Sequence, residues 1–197
     1  EGISNLDTQD VAYARQLGYQ IKHLGIARRN NGGIELRVHP TLIPRKRLLA
    51  NVDGVMNAVV VKGDAVGPTL YYGPGAGAEP TASADPEHRV PHLGFQPDQL
   101  SDIKVLSIEE VETAYYLRIT ARDVPGVLSK ITQILSDAKI SIEAVIQKEA
   151  DDGEDYVPLI ILTDRAVVKK LDEAVDKIQQ LPTTEGAIVR IRVESLG

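Results

Sequence analysis

The sequence predicts an α+β fold in two parts, a mixed-sheet portion over residues 1–84 and a βαββαβ unit over residues 114–197. The second part is predicted by alternating apolar residues, typical of strands, which are interrupted twice by the periodicity of amphipathic helices. The first part is predicted by strand-like segments around glycine-bearing turns. A polar, proline-bearing stretch follows residue 84, and residues 85–113 are therefore expected to form a linker.

The first part is expected to begin with a helix. Asp7 or Thr8 can cap its amino end, because a side-chain oxygen there accepts hydrogen bonds from amides that lack a partner within the helix. A strand over residues 19–28 and a return strand follow, with an Asn-Asn-Gly-Gly turn at residues 30–33 between them. The return strand is marked by the alternating apolar residues Ile34, Leu36 and Val38.

Two further strands are predicted over residues 56–62 and 69–72, after a short helix that Pro44 is expected to open. The second of these strands runs into the glycine-rich segment 73–84. Such a loop can bring a phosphate or a nicotinamide close to the backbone, since glycine has no side chain. The segment has neither a Walker A pattern nor the full βαβ unit of a dinucleotide fingerprint, so by itself it favours a structural turn.

The second part begins with a strand, in which Tyr115, Leu117 and Ile119 are expected to form one buried face. A turn follows it and leads into a helix. In this turn Asp123 can cap free amides, and Gly126 permits a close approach of the backbone to a neighbour. The remaining elements are expected at residues 140–146 (strand), 156–162 (strand), 168–178 (helix) and 189–193 (strand).

Composition excludes several kinds of site. The chain has no cysteine, which excludes disulfides, thiol catalysis and thiolate metal ligands. Its formal net charge of -6 disfavours nucleic acid as a partner, and the basic run at residues 45–47 is interpreted as the solvated first turn of a helix. No apolar run approaches the ~20 residues of a membrane span and no signal-peptide pattern is present. We therefore expect a cytoplasmic protein without membrane contact.

No metal site is predicted. The histidines lack ligand-like spacing with acidic residues; they are His23, His39, His88 and His92. Residues 151–155 resemble a calcium loop only in composition, because they lack the alternating ligand spacing and the closing glutamate. A solvated turn is the better interpretation.

One motif stands at the turn after the first strand of the second part. It reads Asp123-x-Pro125-Gly126-Val127-Leu128 and is followed by Ile131, Leu135, Ile140-x-Ile142 and Gln147. Together with the element order, it resembles the ACT family, whose ferredoxin-like modules bind an amino-acid effector at this turn. The resemblance implies a site formed by Asp123, Pro125, Gly126, Val127, Leu128 and Gln147, where amides at a helix amino end can receive a carboxylate. The alternative is that Asp123 only caps and Gly126 only packs, with nothing bound.

Five segments of the first part occur in a fixed order. They are Glu1-Gly2-Ile3-Ser4, Leu17-Gly18-Tyr19-x-Ile21-Lys22, Val38-x-Pro40, Leu49-Ala50-x-Val52-x-Gly54-x-x-Asn57-Ala58-Val59 and Tyr72-Gly73-Pro74-Gly75-Ala76-Gly77. This order resembles the rear part of the catalytic domain of homoserine dehydrogenases, whose bacterial members carry an ACT domain next. The resemblance implies a catalytic and dimerisation portion over residues 1–84, a linker over residues 85–113 and an ACT regulatory domain over residues 114–197.

The resemblance implies an NAD(P)-dependent enzyme that interconverts aspartate semialdehyde and homoserine, in threonine and methionine biosynthesis. It would be a dimer or tetramer, inhibited by threonine through the ACT domain. NADP or NAD would be bound mainly by a preceding domain, with Gly73, Gly75 and Gly77 approaching it through the backbone. The catalytic residues of the family also precede this region, so none is assigned here, and Lys22 and Lys62 are interpreted as structural.

The chain is expected to be part of a longer protein, since it starts at Glu1 and opens on a motif from within the family's catalytic domain. In the family the glycine loop leads into a packed helix, whereas here a linker begins at Asp85. We therefore expect a missing segment, with a Cα separation between Ala84 and Asp85 well above ~3.8 Å. The alternative function is a non-enzymatic amino-acid-binding and dimerisation fragment. An ACT module of an aspartate kinase or a phosphoglycerate dehydrogenase is disfavoured by the segments before residue 84.

Overall fold

A computed structural model describes residues 3–4, 6–30, 32–84, 102–148 and 155–196. The contacts divide the chain into two compact units, Glu1–Pro44 with Lys104–Gly197, and Arg45–Ile103. These units do not coincide with the predicted divisions at residues 84 and 114, because strands from the start of the chain join the sheet of the C-terminal part. The expected break before Asp85 lies outside the described residues, as do most of the acidic residues of the turn at 151–155.

The described helices and strands alternate along the chain much as predicted. In order they are α1 (Thr8–Gln16), β1 (Tyr19–Asn30), β2 (Gly33–Pro44), β3 (Met56–Gly63), β4 (Gly67–Pro74), α2 (Ala78–Ala84), β5 (Glu112–Arg122), α3 (Val127–Asp137), β6 (Ile142–Gln147), β7 (Tyr156–Thr163), β8 (Ala166–Val167), α4 (Val168–Gln179) and β9 (Thr184–Val193). The order from β5 to β9 confirms the βαββαβ prediction and the α+β class. The two-residue strand β8, which pairs with β5, was not predicted.

The amino end of α1 has a reciprocal cap. The side chain of Asp7 accepts a hydrogen bond from the amide of Gln9, and the side chain of Asp10 accepts one from the amide of Asp7. This arrangement satisfies amides that helix geometry leaves without partners. Asp7 is therefore the capping residue, as one of the two predicted alternatives had it.

The first unit is built on one mixed sheet with the strand order β1-β2-β9-β5-β7-β6. Strand β2 runs parallel to β9, with Thr41 opposite Arg192 and Leu42 opposite Val193, whereas the other neighbours in this order are antiparallel. The four strands from β9 to β6 have the ferredoxin-like order. The hairpin β1–β2 extends that sheet by two strands. The sequence analysis predicted the two parts separately and did not predict this shared sheet.

Both faces of the central strand β5 are covered. On one face, helices α3 and α4 bury an apolar core that includes Leu117, Ile131 and Leu171. On the other face, Tyr13 and Ala14 of α1 pack in a second cluster with Tyr116. The prediction that β5 is buried on one face only was therefore wrong, because α1 folds back over the sheet.

Strand β2 alternates as predicted, but over residues 35–39 its polar side chains are buried and its apolar side chains are exposed. Leu36 and Val38 are 56% and 57% exposed, whereas Glu35, Arg37 and His39 are at most 5% exposed. The buried side chains pair with one another and with Glu194 after β9. Burial on this side of β2 therefore goes with contacts between charged and polar side chains and not with the hydrophobicity of the strand.

The described residues of the second unit form the antiparallel hairpin β3–β4, a 3-10 turn at Leu48–Asn51 and the helix α2. Pro44 does not open a helix as predicted, since it pairs with Tyr19 as the last residue of β2. The basic residues 45–47 form a turn before Leu48 instead of a first helical turn. In the described part of the chain, no helix is long and apolar enough to cross a membrane.

Candidate effector site

The turn between β5 and α3 is shaped by Gly126. This residue has φ of +92°, in the left-handed region that favours glycine, and it is the residue at which α3 is capped. Because Gly126 has no side chain, the first amides of α3 receive no side-chain cap. The prediction that Asp123 caps this helix was wrong, since the helix begins only at Val127.

The carboxylate of Asp123 instead contacts the end of another strand of the sheet, β6. Its Oδ1 accepts a hydrogen bond from Nε2 of Gln147 at 2.9 Å. Gln147, the last residue of β6, lies opposite Leu159 of β7, which in turn lies opposite Ile119 of β5. The turn after β5 therefore reaches across β7 to meet β6, and two residues 24 positions apart in sequence come into contact.

A cavity of about 320 Å³ lies beneath this bridge. It is lined by residues 121–128, Gln147, Val157 and Leu159. The structure thus brings together all of the residues that the resemblance assigns to the effector site, which are Asp123, Pro125, Gly126, Val127, Leu128 and Gln147. The apolar floor formed by Val157 and Leu159 was not predicted, although the alternation of β7 could have indicated which of its residues face α3.

Arg122 is a lining residue that the sequence analysis missed. Its guanidinium carbon lies 5.6 Å from the centroid of the Tyr156 ring, and its Nη2 is 4.0 Å from Oδ2 of Asp155. Tyr156 does not line the cavity, so the charged side chain that the wall offers is that of Asp123. The amide end of α3 adds a partial positive charge to the same wall. This combination suits a small zwitterion better than a simple anion or cation.

The glycine-rich loop belongs to the second unit, and two of its glycines are required by the fold itself. A β-carbon at Gly75 would collide with the side-chain amide of Asn57, and Gly77 has φ of +115°. Gly73 pairs with Asn57 in the β3–β4 ladder and has open space where a β-carbon would stand. Close packing therefore explains Gly75 and strained backbone explains Gly77, while the approach of all three to a cofactor stays a prediction.

None of the other described candidate residues lines the cavity. Lys22 and Lys62 occupy strand positions in β1 and β3, as expected. His23 and His39 lie in the β1–β2 hairpin, and His88 and His92 fall outside the described residues. Among the residues that the structure describes, no group of three or more histidines and acids could hold a metal ion.

Comparison with known proteins gives two family matches that agree with the fold. The family described as homoserine dehydrogenase matches residues 1–85, and the ACT domain family matches residues 115–185. The homoserine dehydrogenase of Pseudomonas aeruginosa is 56% identical over 210 residues, covering 100% of this chain and 48% of that protein. That of Neisseria gonorrhoeae is 51% identical over 210 residues, with the same coverage of both proteins.

A crystal structure of the homoserine dehydrogenase from Thiobacillus denitrificans is similar throughout, with a TM-score of 0.89 and 57% identity over 100% of this chain and 47% of that one. The Staphylococcus aureus enzyme gives a TM-score of 0.61 at 25% identity. The chain spans about half the length of these relatives. On these matches the chain belongs to the homoserine dehydrogenase family, with an ACT domain in its second part.

Proposed function

We propose that this chain is the regulatory and dimer-forming part of an NAD(P)-dependent homoserine dehydrogenase, and that threonine inhibits the enzyme by binding in the cavity after β5. The observation that carries the proposal is the cavity of about 320 Å³ that is lined by Asp123 and Gln147, which contact each other at its edge. Its volume is at the lower end of the roughly 300–1,000 Å³ of small-molecule sites, which suits a single amino acid.

The wall of the cavity offers a partner to each end of an amino acid. The uncapped amides at the start of α3, after Gly126, can receive the α-carboxylate. The carboxylate of Asp123 can pair with the α-ammonium group, and Val157 and Leu159 can pack against the methyl group of a threonine side chain. Inhibition requires threonine to bind one state of the enzyme better than another, with a coupling free energy of typically ~1–3 kcal/mol. The identity of the amino acid rests on the family resemblance.

The proposed reaction is the interconversion of aspartate semialdehyde and homoserine. The reduced cofactor, NADPH or NADH, would supply the hydride to aspartate semialdehyde, and NADP or NAD would take it back from homoserine. In the family the catalytic lysines and substrate-binding acids come from a part of the enzyme that precedes this region. The loop with Gly73, Gly75 and Gly77 would contribute backbone contacts and shape, since it has no side chain that could move a proton. We propose residues 1–84 as part of the catalytic and dimerisation domain, residues 85–113 as the linker and residues 114–197 as the sensor.

Isothermal titration of the 197-residue chain with L-threonine tests the site directly. We expect binding of L-threonine and not of D-threonine, because inversion at Cα prevents the two charged ends and the side chain from meeting their three partners together. Asp123→Asn keeps an acceptor for Gln147 but removes the charge, and should raise the Kd about tenfold or more. The matched control is Asp137→Asn at the far end of α3, where the carboxylate accepts from Gln133 and lies outside the cavity.

Assays of the complete enzyme test the activity and its regulation. We expect oxidation of NADPH or NADH with aspartate semialdehyde, inhibited by millimolar L-threonine in the wild type and less so in Asp123→Asn. Binding without any dehydrogenase activity of the complete protein would favour the non-enzymatic alternative. Absence of binding, with activity unaffected by threonine, would remove the effector site.

A further inference from the structure

We propose that Asp10 is a positioning residue that couples helix α1 to the effector cavity, so that docking of α1 on the sheet and binding of the amino acid favour each other. The proposal rests on the proposed function, since it requires that the cavity binds an effector. It assigns a regulatory role to a contact between the part of the chain before residue 45 and the first strand of the ACT domain.

Asp10 is fully buried and its carboxylate joins α1 to β5 by three hydrogen bonds. Oδ1 accepts from the hydroxyl of Tyr116 at 2.8 Å and from Nε of Arg118 at 2.6 Å, and Oδ2 accepts from Nη2 of Arg118 at 3.0 Å. Oδ2 also accepts from the amide of Asp7 at 3.3 Å, within the cap of α1. One side chain thus fixes both the start of the helix and its position on the strand.

The contact of Asp10 with Tyr116 and Arg118 is expected to be either fully formed or fully broken, without a stable intermediate arrangement. Burial and the nearby carboxylate of Asp10 raise the pKa of Tyr116, and the hydrogen bond to Asp10 raises the pKa of Arg118, so both remain donors at any physiological pH. If α1 leaves the sheet, Arg118 and Tyr116 lose a bidentate and charge-assisted partner. Partial separation of a buried ion pair is costly, which makes the docking of α1 a two-state element of the kind that allosteric coupling needs.

The strand that carries this contact also forms a wall of the cavity. Arg118 lies three residues before Ala121, the first lining residue, and the ladder with β9 is irregular around this stretch. The pairing of β5 with β9 shifts register between Arg118, opposite Val189, and Thr120, opposite Glu185, so β9 has two extra residues there. On the other side Thr120 faces Pro158, which has no amide hydrogen to donate. The regular ladder between β5 and β9 is therefore interrupted just past Arg118, so the anchor at Arg118 lies at the last regular pair before the cavity wall.

Helix α1 makes a second contact beside the cavity, next to the wall that the end of β6 forms. Gln147, which closes the cavity with Asp123, is followed by Lys148, whose Nζ lies 5.0 Å from the centroid of the Tyr13 ring. Helix α1 therefore touches the chain beside both walls of the cavity, at β5 and at the end of β6. Undocking α1 removes both contacts at once. By thermodynamic linkage, the factor by which undocking of α1 weakens effector binding must equal the factor by which effector binding favours docking of α1.

Titration of the 197-residue chain with L-threonine measures the coupling. Asp10→Asn keeps an acceptor oxygen for Tyr116 but turns an amide group toward Arg118, and we expect the Kd for L-threonine to rise about fivefold or more, the lower end of usual coupling. Arg118→Lys, which keeps the charge and loses the bidentate geometry, should shift the Kd in the same direction. The control is Asp7→Asn, which keeps the cap of the same helix because asparagine caps as well as aspartate. A purely structural role would lower the thermal midpoint of Asp10→Asn and leave the Kd of the folded protein unchanged.

Hydrogen exchange of the wild type gives a measurement that needs no variant. Amides of α1 that exchange faster than those of β5 do so through local undocking of the helix. When L-threonine saturates the cavity, the exchange rate of these amides should fall by a factor of about five or more. No binding to the wild type would remove the effector site and the coupling with it. Binding that protects the start of α3 but leaves α1 unchanged, or an equal Kd in folded Asp10→Asn and wild type, would overturn the coupling alone.

Discussion

The interior beneath helices α3 and α4 differs in kind from the junction that joins α1 and the β1–β2 hairpin to the same sheet. The first is mostly apolar, with fully buried residues such as Leu171, Ile131 and Leu117, and its buried charge is that of Arg192, whose Nη1 donates to the hydroxyl of Tyr115 at 2.6 Å. The junction also has an apolar cluster, but it buries two groups of charges, one around Asp10 and one around Glu194. The sheet is continuous through both, so the difference lies in the side chains alone.

This difference indicates that the two regions have different tasks. Apolar burial stabilises in proportion to area and tolerates many packings, whereas buried ion pairs require one geometry and are costly when a partner is lost. Contacts between domains of one chain are also more polar than domain cores. The apolar side therefore accounts for the stability of the ACT fold, and the charged side for a specific and separable attachment of the preceding residues.

The largest expected effect is on the apolar side. Leu171 of α4 is 0% exposed, and Leu171→Ala should lower the free energy of unfolding by about 3–5 kcal/mol, because it removes buried methyl groups and leaves a cavity. Urea denaturation measures it. The control is Leu36→Ala on the exposed side of β2, which should change the free energy by no more than about 0.5 kcal/mol. A similar cost at both positions would contradict the assignment of stability to the core beneath α3 and α4.

The residues that line the cavity after β5 were largely predictable because their signals are local. The motif from Asp123 to Leu128 has the glycine that the left-handed turn requires, and the alternation of the second strand ends at Gln147. What could not be predicted is that Asp123 contacts Gln147 instead of capping α3. A capping aspartate and a bridging aspartate have the same local sequence, and only the position of β6 decides between them.

The junction was not predictable from the sequence for the same physical reason. Asp10 is explained in full by the capping box with Asp7, so nothing local indicates its contact with Arg118, which lies 108 residues away. The alternation of Leu36 and Val38 likewise predicted the strand β2 but not which of its faces is buried, and the buried side chains opposite them pair with Glu194, from the end of the chain. Contacts between distant segments leave no periodicity in either segment.

The next effect concerns the junction charges at Glu194. Its side chain accepts from Arg28 at 2.9 Å and pairs with Arg37, and although burial acts to raise its pKa, these two partners hold the pKa below the usual 4.5. Glu194→Gln should therefore lower the free energy of unfolding at pH 7 by about 2 kcal/mol, in the range for hydrogen bonds to charged groups. A lowered pKa means that the contribution is complete above pH 4.5 and is lost as the pH falls through the folded-state value.

The measurement that isolates this contribution is urea denaturation of wild type and Glu194→Gln at pH 7 and at pH 3.5 or below, roughly a unit under the usual pKa of the group. The difference between the two proteins should shrink at the lower pH, where the wild-type carboxyl group is increasingly protonated. A difference that stays constant with pH would show that Glu194 acts through its shape and not through its charge.

The smallest effect is expected for an ion pair outside both interiors. Asp172 of α4 pairs with Arg190 of β9, and both side chains are more than 40% exposed. Burial raises the pKa of Asp172 despite Arg190 and Arg192, so the folded state favours its protonated form and ionisation at neutral pH opposes folding slightly. We therefore expect Asp172→Asn to change the free energy of unfolding at pH 7 by less than about 0.5 kcal/mol, with any change in the stabilising direction.

Thermal and urea denaturation of Asp172→Asn beside Glu194→Gln complete the comparison, since each variant replaces one carboxylate that pairs with arginine by its amide. Only Glu194 has its pKa lowered by its partners, and only Glu194 lies in the junction. A loss of stability in Asp172→Asn as large as that in Glu194→Gln would mean that pairing with arginine, whatever the burial, is what stabilises this sheet. If Asp172→Asn leaves the free energy of unfolding unchanged or raises it, the stabilising contribution of carboxylate–arginine pairs lies in the buried junction. There, the loss of a partner leaves an arginine that water cannot reach.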